Sequence, residues 1–142
     1  MPAITEKPTV VAIAVVEHQG QFLVGRRPLG APLAGLAEFP GGKVEATEAP
    51  EAAAVRECQE ESGIAVQVLG KYLSTLYRYD HGLLEVHFFR CRPVDAGGNR
   101  VSPNAPFHWT PAEKLATLEF PAANAPLTEI LLREAKVVRT ET

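Results

Sequence analysis

The sequence predicts an α+β fold, an α/β/α arrangement in which a mixed sheet carries helices on its faces. Three observations lead there. Two apolar, β-rich runs open the chain, Val10–Val16 and Phe22–Arg26. One helical segment rich in Ala and Glu, Glu51–Ser62, separates them from a second β-rich stretch. The chain then closes on a segment, Ala125–Ala135, with Leu127, Ile130, Leu131 and Glu134 at helical spacing. With 142 residues and no repeat, low-complexity tract or long linker, residues 1–142 are expected to form a single domain with one core.

Each element has a local reason. Glu17-His18-Gln19-Gly20 reads as the turn of a hairpin joining the first two strands. Pro28–Gly35 is rich in Pro and Gly and reads as a loop, and Glu38-Phe39-Pro40 is extended because the residue before proline avoids the helical region. Thr47 is the expected N-cap of the Glu51–Ser62 helix, Pro50 suits its first turn, and Gly63 stops it. Ile64–Tyr79 reads as a long or broken strand, Asp80-His81-Gly82 as a turn and Leu83–Arg92 as the return strand. Pro93–Pro106 is a loop and Phe107-His108-Trp109 a short strand. Thr110-Pro111-Ala112-Glu113 has the form of a helical capping box, and Asn124 that of a cap for the last helix.

Composition excludes some functions. A net charge of −3 argues against a broad basic footprint and a stable nucleic-acid partner, though not against a nucleotide in a cleft. The longest apolar run, Val10–Val16, is too short to span a bilayer. The opening MPAITEKPTV lacks the pattern of a signal peptide. A cytoplasmic protein with no membrane attachment is expected, as a monomer or homodimer. Cys58 and Cys91 have no metal-ligand spacing and read as free, buried thiols.

The stretch Gly41–Ile64 gathers Glu45, Glu48, Glu51, Glu57, Glu60 and Glu61 around two cations, Lys43 and Arg56. Glu57, Glu60 and Glu61 stand at i, i+3 and i+4 and share one arc of the helix, beside an apolar stripe of Ala54, Val55 and Cys58. A solvated acidic face is the plain reading. Such a face normally interleaves lysines, however, and Gly41-Gly42 at the entrance permits a close backbone approach. Clustered oxygens with little compensating charge suit a hard divalent cation. Mg²⁺ takes carboxylates, retains waters and accepts substrate phosphates.

Gly42, Glu48, Arg56-Glu57-Cys58, Glu60-Glu61 and Gly63-Ile64 match the Nudix box, G-x5-E-x7-R-E-U-x-E-E-x-G-U, at each fixed position, with Cys58 where an aliphatic residue is usual. This pattern is far more specific than a lone glycine-rich loop. Gly25-Arg26-Arg27, Leu36–Gly42, Trp109 and Phe120-Pro121-Ala122-Ala123-Asn124 extend the likeness over about residues 8–135. The chain thus resembles the MutT-type branch of the Nudix hydrolases, which hydrolyses nucleoside triphosphates, often damaged ones. The resemblance implies the Nudix fold, a mixed sheet between helices.

It also implies roles. Glu57, Glu60, Glu61 and the Gly42 carbonyl would bind Mg²⁺, with Mn²⁺ able to substitute. Glu57 or Glu60 would serve as base for the attacking water. Arg56 would orient a neighbouring carboxylate, the alternative being a surface ion pair. Glu48 would organise the loop or bind an outer metal water, or else be an exposed charge. Arg27 would contact substrate phosphate, unless Arg26 exchanges roles with it. Glu38 and Phe39 would sit at the mouth of the site, Phe39 as core residue or base-stacking platform. Asn124 would read a base edge with its paired donor and acceptor, or cap the last helix, or both. His81, His87 and His108 receive no role. One departure stands out: the loop Gly97–Phe107 contains no Asp or Glu where a further acidic ligand is common. Asp95, Asn99, Asn104 and, from a strand, Glu85 are the candidates to compensate.

The function expected is Mg²⁺-dependent hydrolysis of a nucleoside triphosphate to monophosphate and pyrophosphate, with an oxidised purine such as 8-oxo-dGTP preferred. The alternatives are a pyrimidine (CTP-type) pyrophosphohydrolase, another nucleoside-diphosphate-linked substrate, or a catalytically silent Nudix-fold binding module.

Overall fold

The computed structural model of the chain describes residues 6–94 and 101–141. Strands β1 (Thr9–His18) and β2 (Gln21–Arg26) form the opening hairpin. Gln19 and Gly20 both hold positive φ, 53° and 77°. This is the two-residue turn whose twist suits antiparallel strands, so the strands run up to His18 and Gln21 rather than stopping at a four-residue turn. Strand β3 (Ala37–Glu38) pairs with β2, and β4 (Gly41–Lys43) with β1. The glycine pair is therefore itself part of the sheet.

Helix α1 spans Pro50–Ser62 and ends at Gly63, whose φ of 77° and N–H to Gln59 O bond close the last turn. Its start departs from expectation. Ala49 is the N-cap, without a side-chain bond. Thr47 lies two residues too early to reach the first free amides. Strands β5 (Val66–Tyr79) and β6 (Gly82–Pro93) form a long hairpin; two register shifts, at Val68/Gly70 and Lys71/Leu73, account for the broken pattern.

Strand β7 (His108–Pro111) pairs with β2 and places Thr110 opposite Phe22. The expected capping box does not form, because Thr110 is held in the sheet. A 3-10 helix, Ala112–Thr117, follows without a side-chain cap. Helix α2 runs Ala125–Glu141, longer than its apolar spacing indicated.

The sheet order is β3-β2-β1-β6-β5, with β4 also on β1 and β7 also on β2. β1 runs parallel to β6 and antiparallel to its other partners, so the sheet is mixed. Alternation along β1 sends Ala12, Ala14 and Val16 towards α1, where they meet Ala53, Ala54 and Cys58. Val15 faces the opposite side with Phe88, Leu127 and Leu131. Each of the two buried leucines of α2 contributes about 1.5–3 kcal/mol. Helices thus cover both faces, as the α/β/α reading expects. Cys58 and Cys91 are buried free thiols; burial pushes their pKa values up to about 11 and about 12.

Candidate active site

β4 brings Gly41 and Gly42 beneath α1, and the two glycines do different work. A Cβ at Gly41 would stand 2.5 Å from Ala12 O and 2.9 Å from Ile13 Cα, so its absence permits the strand pairing. A Cβ at Gly42 would stand 2.6 Å from the Glu57 carboxyl carbon and 2.7 Å from each oxygen, so its absence makes room for the carboxylate. One helical turn on, Glu61 accepts the Gly41 N–H at 3.0 Å. Although Glu61 as a residue is exposed, desolvation of its carboxyl, followed by repulsion from Glu38, Glu57 and Glu60, pushes its pKa up to about 7. The Gly41 amide offsets part of that rise.

Arg56 ties the loop before α1 to this face. Its Nε and Nη2 donate to the two oxygens of Glu48 at 2.8 and 2.9 Å, a bidentate fork. Nη1 donates to Glu57 at 2.9 Å and to Glu60 at 3.3 Å, and Nη2 also to Lys43 O at 3.2 Å. The Arg56 hydrogen bond holds the Glu48 carboxyl down at a pKa of about 2, and Glu48 in turn raises that of Arg56. With these five hydrogen bonds among the described residues, Arg56 is a junction rather than a simple surface ion pair. The Glu60 side chain is 58% exposed, against 18% for Glu57. Among the described residues no three His, Cys, Asp or Glu side chains are drawn tightly enough together to hold a metal ion. Glu57 and Glu60 lean on Arg56, and Glu61 on the Gly41 amide.

Across from α1, Arg27 Nε donates to Pro32 O at 2.6 Å and Nη1 to Glu38 at 3.4 Å. Arg26 donates to Gly35 O at 3.2 Å. Both arginines hold the 28–36 loop, and of the two it is Arg27 that reaches Glu38. Burial raises the Glu38 pKa, with Arg27 opposing, and the Glu38 charge is felt at Glu61. The Arg27–Glu38 pair therefore adjoins the helix carboxylates.

Two expectations need correction. Phe39 is 3% exposed and stacks on Phe120 with centroids 4.9 Å apart. It is a core side chain with no face left for a base. Asn124 does not cap α2: it closes a 3-10 turn, Ala122–Asn124, that runs straight into the helix. A cap needs an extended backbone at that point. Asn124 is 8% exposed, and its side chain makes no hydrogen bond with any described residue.

Of the candidates for a further acidic ligand, Asn104 and Glu85 are engaged elsewhere. Asn104 sits at the C-terminal end of α1, its N–H on Ser62 O and its amide against the Gly63 position. Glu85 is engaged by His87 at 2.7 Å on β6. Asp95 and Asn99 lie outside the described residues.

Tyr79 escaped the sequence reading. Its hydroxyl accepts the Ala123 N–H at 2.8 Å, next to Asn124. Its ring stacks on His81 at 5.1 Å and meets Tyr77 at 4.6 Å. The signal available was an aromatic residue at a strand end beside a turn, which does not reveal a partner 44 residues away.

The NUDIX domain family matches residues 11–129 of the chain. The chain is 32% identical to the CTP pyrophosphohydrolase of Escherichia coli (strain K12), over 86% of this chain and 90% of that one. It is 30% identical to the 8-oxo-dGTP diphosphatase of the same organism, over 89% and 98%. Its fold is similar to the crystal structure of a MutT protein from Methanosarcina mazei Go1, with a TM-score of 0.74, 27% identity and coverage of 92% and 98%. The solution structure of the E. coli ORF135 protein gives a TM-score of 0.73 at 31% identity, covering 95% and 97%. Among the described residues no helix is long and apolar enough to cross a membrane.

Proposed function

The chain belongs to the NUDIX domain family and is a hydrolase acting on phosphoric anhydrides, and on that premise we propose that it hydrolyses a nucleoside triphosphate to monophosphate and pyrophosphate with Mg²⁺, preferring an oxidised purine such as 8-oxo-dGTP. The observation that carries this reading is the convergence on the glycine pair: Glu57 fills the space a Gly42 side chain would take, and Glu61 holds the Gly41 amide. Glu60 shares their arc and Arg56 is the nearby cation. The donors are all oxygen and repel one another at Glu61, which fits a hard divalent ion. Glu57, Glu60, Glu61 and the Gly42 backbone would hold it. An ion held there would supply charge neutralisation of the phosphates and polarisation of the phosphorus under attack.

The remaining work falls to the chain. Glu57 or Glu60 takes the proton of the attacking water as the bond from phosphorus to the pyrophosphate oxygen breaks. Arg56, braced by Glu48, keeps Glu57 aimed. Arg27 contacts phosphate, with Glu38 orienting it. Asn124 reads the base: its buried amide bonds to no other described residue and offers the donor and acceptor together that a purine edge requires. The likeness to a CTP pyrophosphohydrolase keeps a pyrimidine triphosphate as the second reading.

A panel of 8-oxo-dGTP, dGTP, CTP and sugar nucleotides with Mg²⁺, scored by product, tests both. The expected result is pyrophosphate plus nucleoside monophosphate, fastest with 8-oxo-dGTP. Orthophosphate release would overturn the cleavage site, a CTP preference would select the second reading, and no turnover would indicate a binding module.

A further inference from the structure

We infer that Tyr79 is a positioning residue for substrate discrimination, acting through its hydroxyl on the turn that carries Asn124. The inference rests on the reading of Asn124 as the base reader and deepens it. The turn Ala122–Asn124 is a single 3-10 turn closed by Asn124 N–H to Pro121 O at 2.9 Å and by Ala125 N–H to Ala122 O, neither of which uses the Ala123 N–H. The first amides of any helical turn lack an internal acceptor, and Ala123 is 3% exposed, so its N–H has little access to water. The Tyr79 hydroxyl supplies the acceptor at 2.8 Å, from the far end of β5. That contact joins the β5–β6 hairpin to the turn immediately before Asn124.

The rest of Tyr79 points to a strut and not a stacking platform. Its ring already rests on His81, nearly parallel at 13°, and on Tyr77. Those neighbours fix the ring and so fix the hydroxyl. Burial raises the pKa of the Tyr79 hydroxyl, and the Ala123 N–H and the Arg27 charge oppose that rise. The Asn124 side-chain amide makes no hydrogen bond with any described residue to set its direction, which leaves the backbone of the turn to aim it.

Tyr79→Phe keeps the ring and removes the hydroxyl. The expected result is a fall in the kcat/KM ratio of 8-oxo-dGTP over CTP of about two- to tenfold, the range one neutral hydrogen bond carries. The fall should appear in KM, with kcat within about twofold. In an Asn124→Ala background the same change should have no further effect on the ratio, because the group being aimed is gone. Amide hydrogen exchange at Ala123, which needs no substrate, should be slow in the wild type and faster in Tyr79→Phe. An unchanged ratio, an equal fall in both backgrounds, or unchanged Ala123 exchange overturns the inference. If Asn124→Ala by itself leaves the ratio intact while Ala123 exchange responds to Tyr79→Phe, the strut exists and the base-reader assignment is what fails.

Discussion

On the α1 side of the candidate site, Arg56, Glu57, Glu60 and Glu61 fall within six consecutive residues, with Glu48 and the glycine pair just before them. On the opposite side, Arg27, Glu38, Tyr79 and Asn124 come from four separated segments. The first group is placed by helical periodicity and one arginine. The second is placed by tertiary contacts: Arg27 on Pro32 O, Arg27 on Glu38, Tyr79 on Ala123. Stiffness on one side comes from a single element, and on the other from contacts between elements. Changes to the carboxylates of the α1 side should therefore alter turnover without disturbing the fold. Changes on the other side should alter which nucleotide is chosen.

The largest effect expected is at Glu60. Glu60→Gln keeps the side-chain volume and loses the charge. Turnover should fall about a hundredfold or more, since a polarising cation supplies several kcal/mol to the transition state. Its melting temperature should stay near the wild-type value, because Glu60 is exposed and its bond to Arg56 is the longest of that network's carboxylate bonds, at 3.3 Å. Near wild-type turnover at saturating Mg²⁺, or a largely unfolded variant, would break the distinction between the two sides.

Gly41 and Gly42 sharpen the comparison within a single strand. Gly42→Ala presses a methyl group on the flexible end of Glu57, which can move. Stability should hold while kcat/KM drops about tenfold to a hundredfold, as a displacement of about 1 Å does at a catalytic group. Gly41→Ala presses instead on the Ala12 carbonyl and the Ile13 backbone. That variant should lose about 1–3 kcal/mol of stability, the usual cost of overpacking. Urea unfolding and steady-state kinetics on both variants decide it; equal loss of stability in both would show that Gly42 serves the fold.

The third effect belongs to the other side. Asn124→Ala should leave Mg²⁺ binding intact and lower discrimination among 8-oxo-dGTP, dGTP and CTP by about tenfold, the lower part of the 1–3 kcal/mol carried by a bidentate base contact. The melting temperature should barely change, since Asn124 caps nothing in the fold. A lower melting temperature with unchanged substrate ratios would mean a structural residue and no reader.

What could be read from the sequence follows the same division. Helix α1, its Gly63 stop, the β1–β2 hairpin and the β5–β6 hairpin rest on local periodicity and turn residues, and all four form where expected. Thr47 and Thr110 were misread because cap propensity is a local rule: Ala49 begins the helix, and pairing with Phe22 holds Thr110 in a strand. The Arg56 junction was legible in part, since Glu60 is its helical neighbour. Its bidentate grip on Glu48, eight residues back across a loop, was not. Phe39 and Tyr79 were opaque for one reason: aromatic residues pack by tertiary geometry, and neither Phe120 nor Ala123 is near them in the chain.

The smallest effect concerns proton linkage at Glu61. Its folded-state pKa is raised from 4.5 to about 7, chiefly by desolvation. The fold then binds the proton more tightly than the unfolded chain, so without metal the wild type loses stability as pH rises from about 4.5 through about 7 and no more beyond. Glu61→Gln retains an oxygen for the Gly41 N–H and removes the titration. Its melting temperature should equal the wild type's below pH 4.5 and exceed it above pH 7. Because Glu61 is exposed as a residue, solvent screening keeps the gain to about 1 kcal/mol or less, about 3 °C in a domain of this size. Glu48 contributes with the opposite sign: its stabilisation is present above 4.5 and fades towards its folded pKa of about 2. That contribution is common to both proteins and cancels in their difference. Millimolar Mg²⁺ at pH 8 should invert the order, since an ion bound by the folded wild type stabilises it by mass action while the variant has lost a ligand. Melting curves of the two proteins at pH 4.5 and 8, with and without Mg²⁺, are the measurement. A difference independent of pH would show that the Glu61 carboxyl is ordinary, and an order that Mg²⁺ leaves unchanged would remove Glu61 from the ion's ligands.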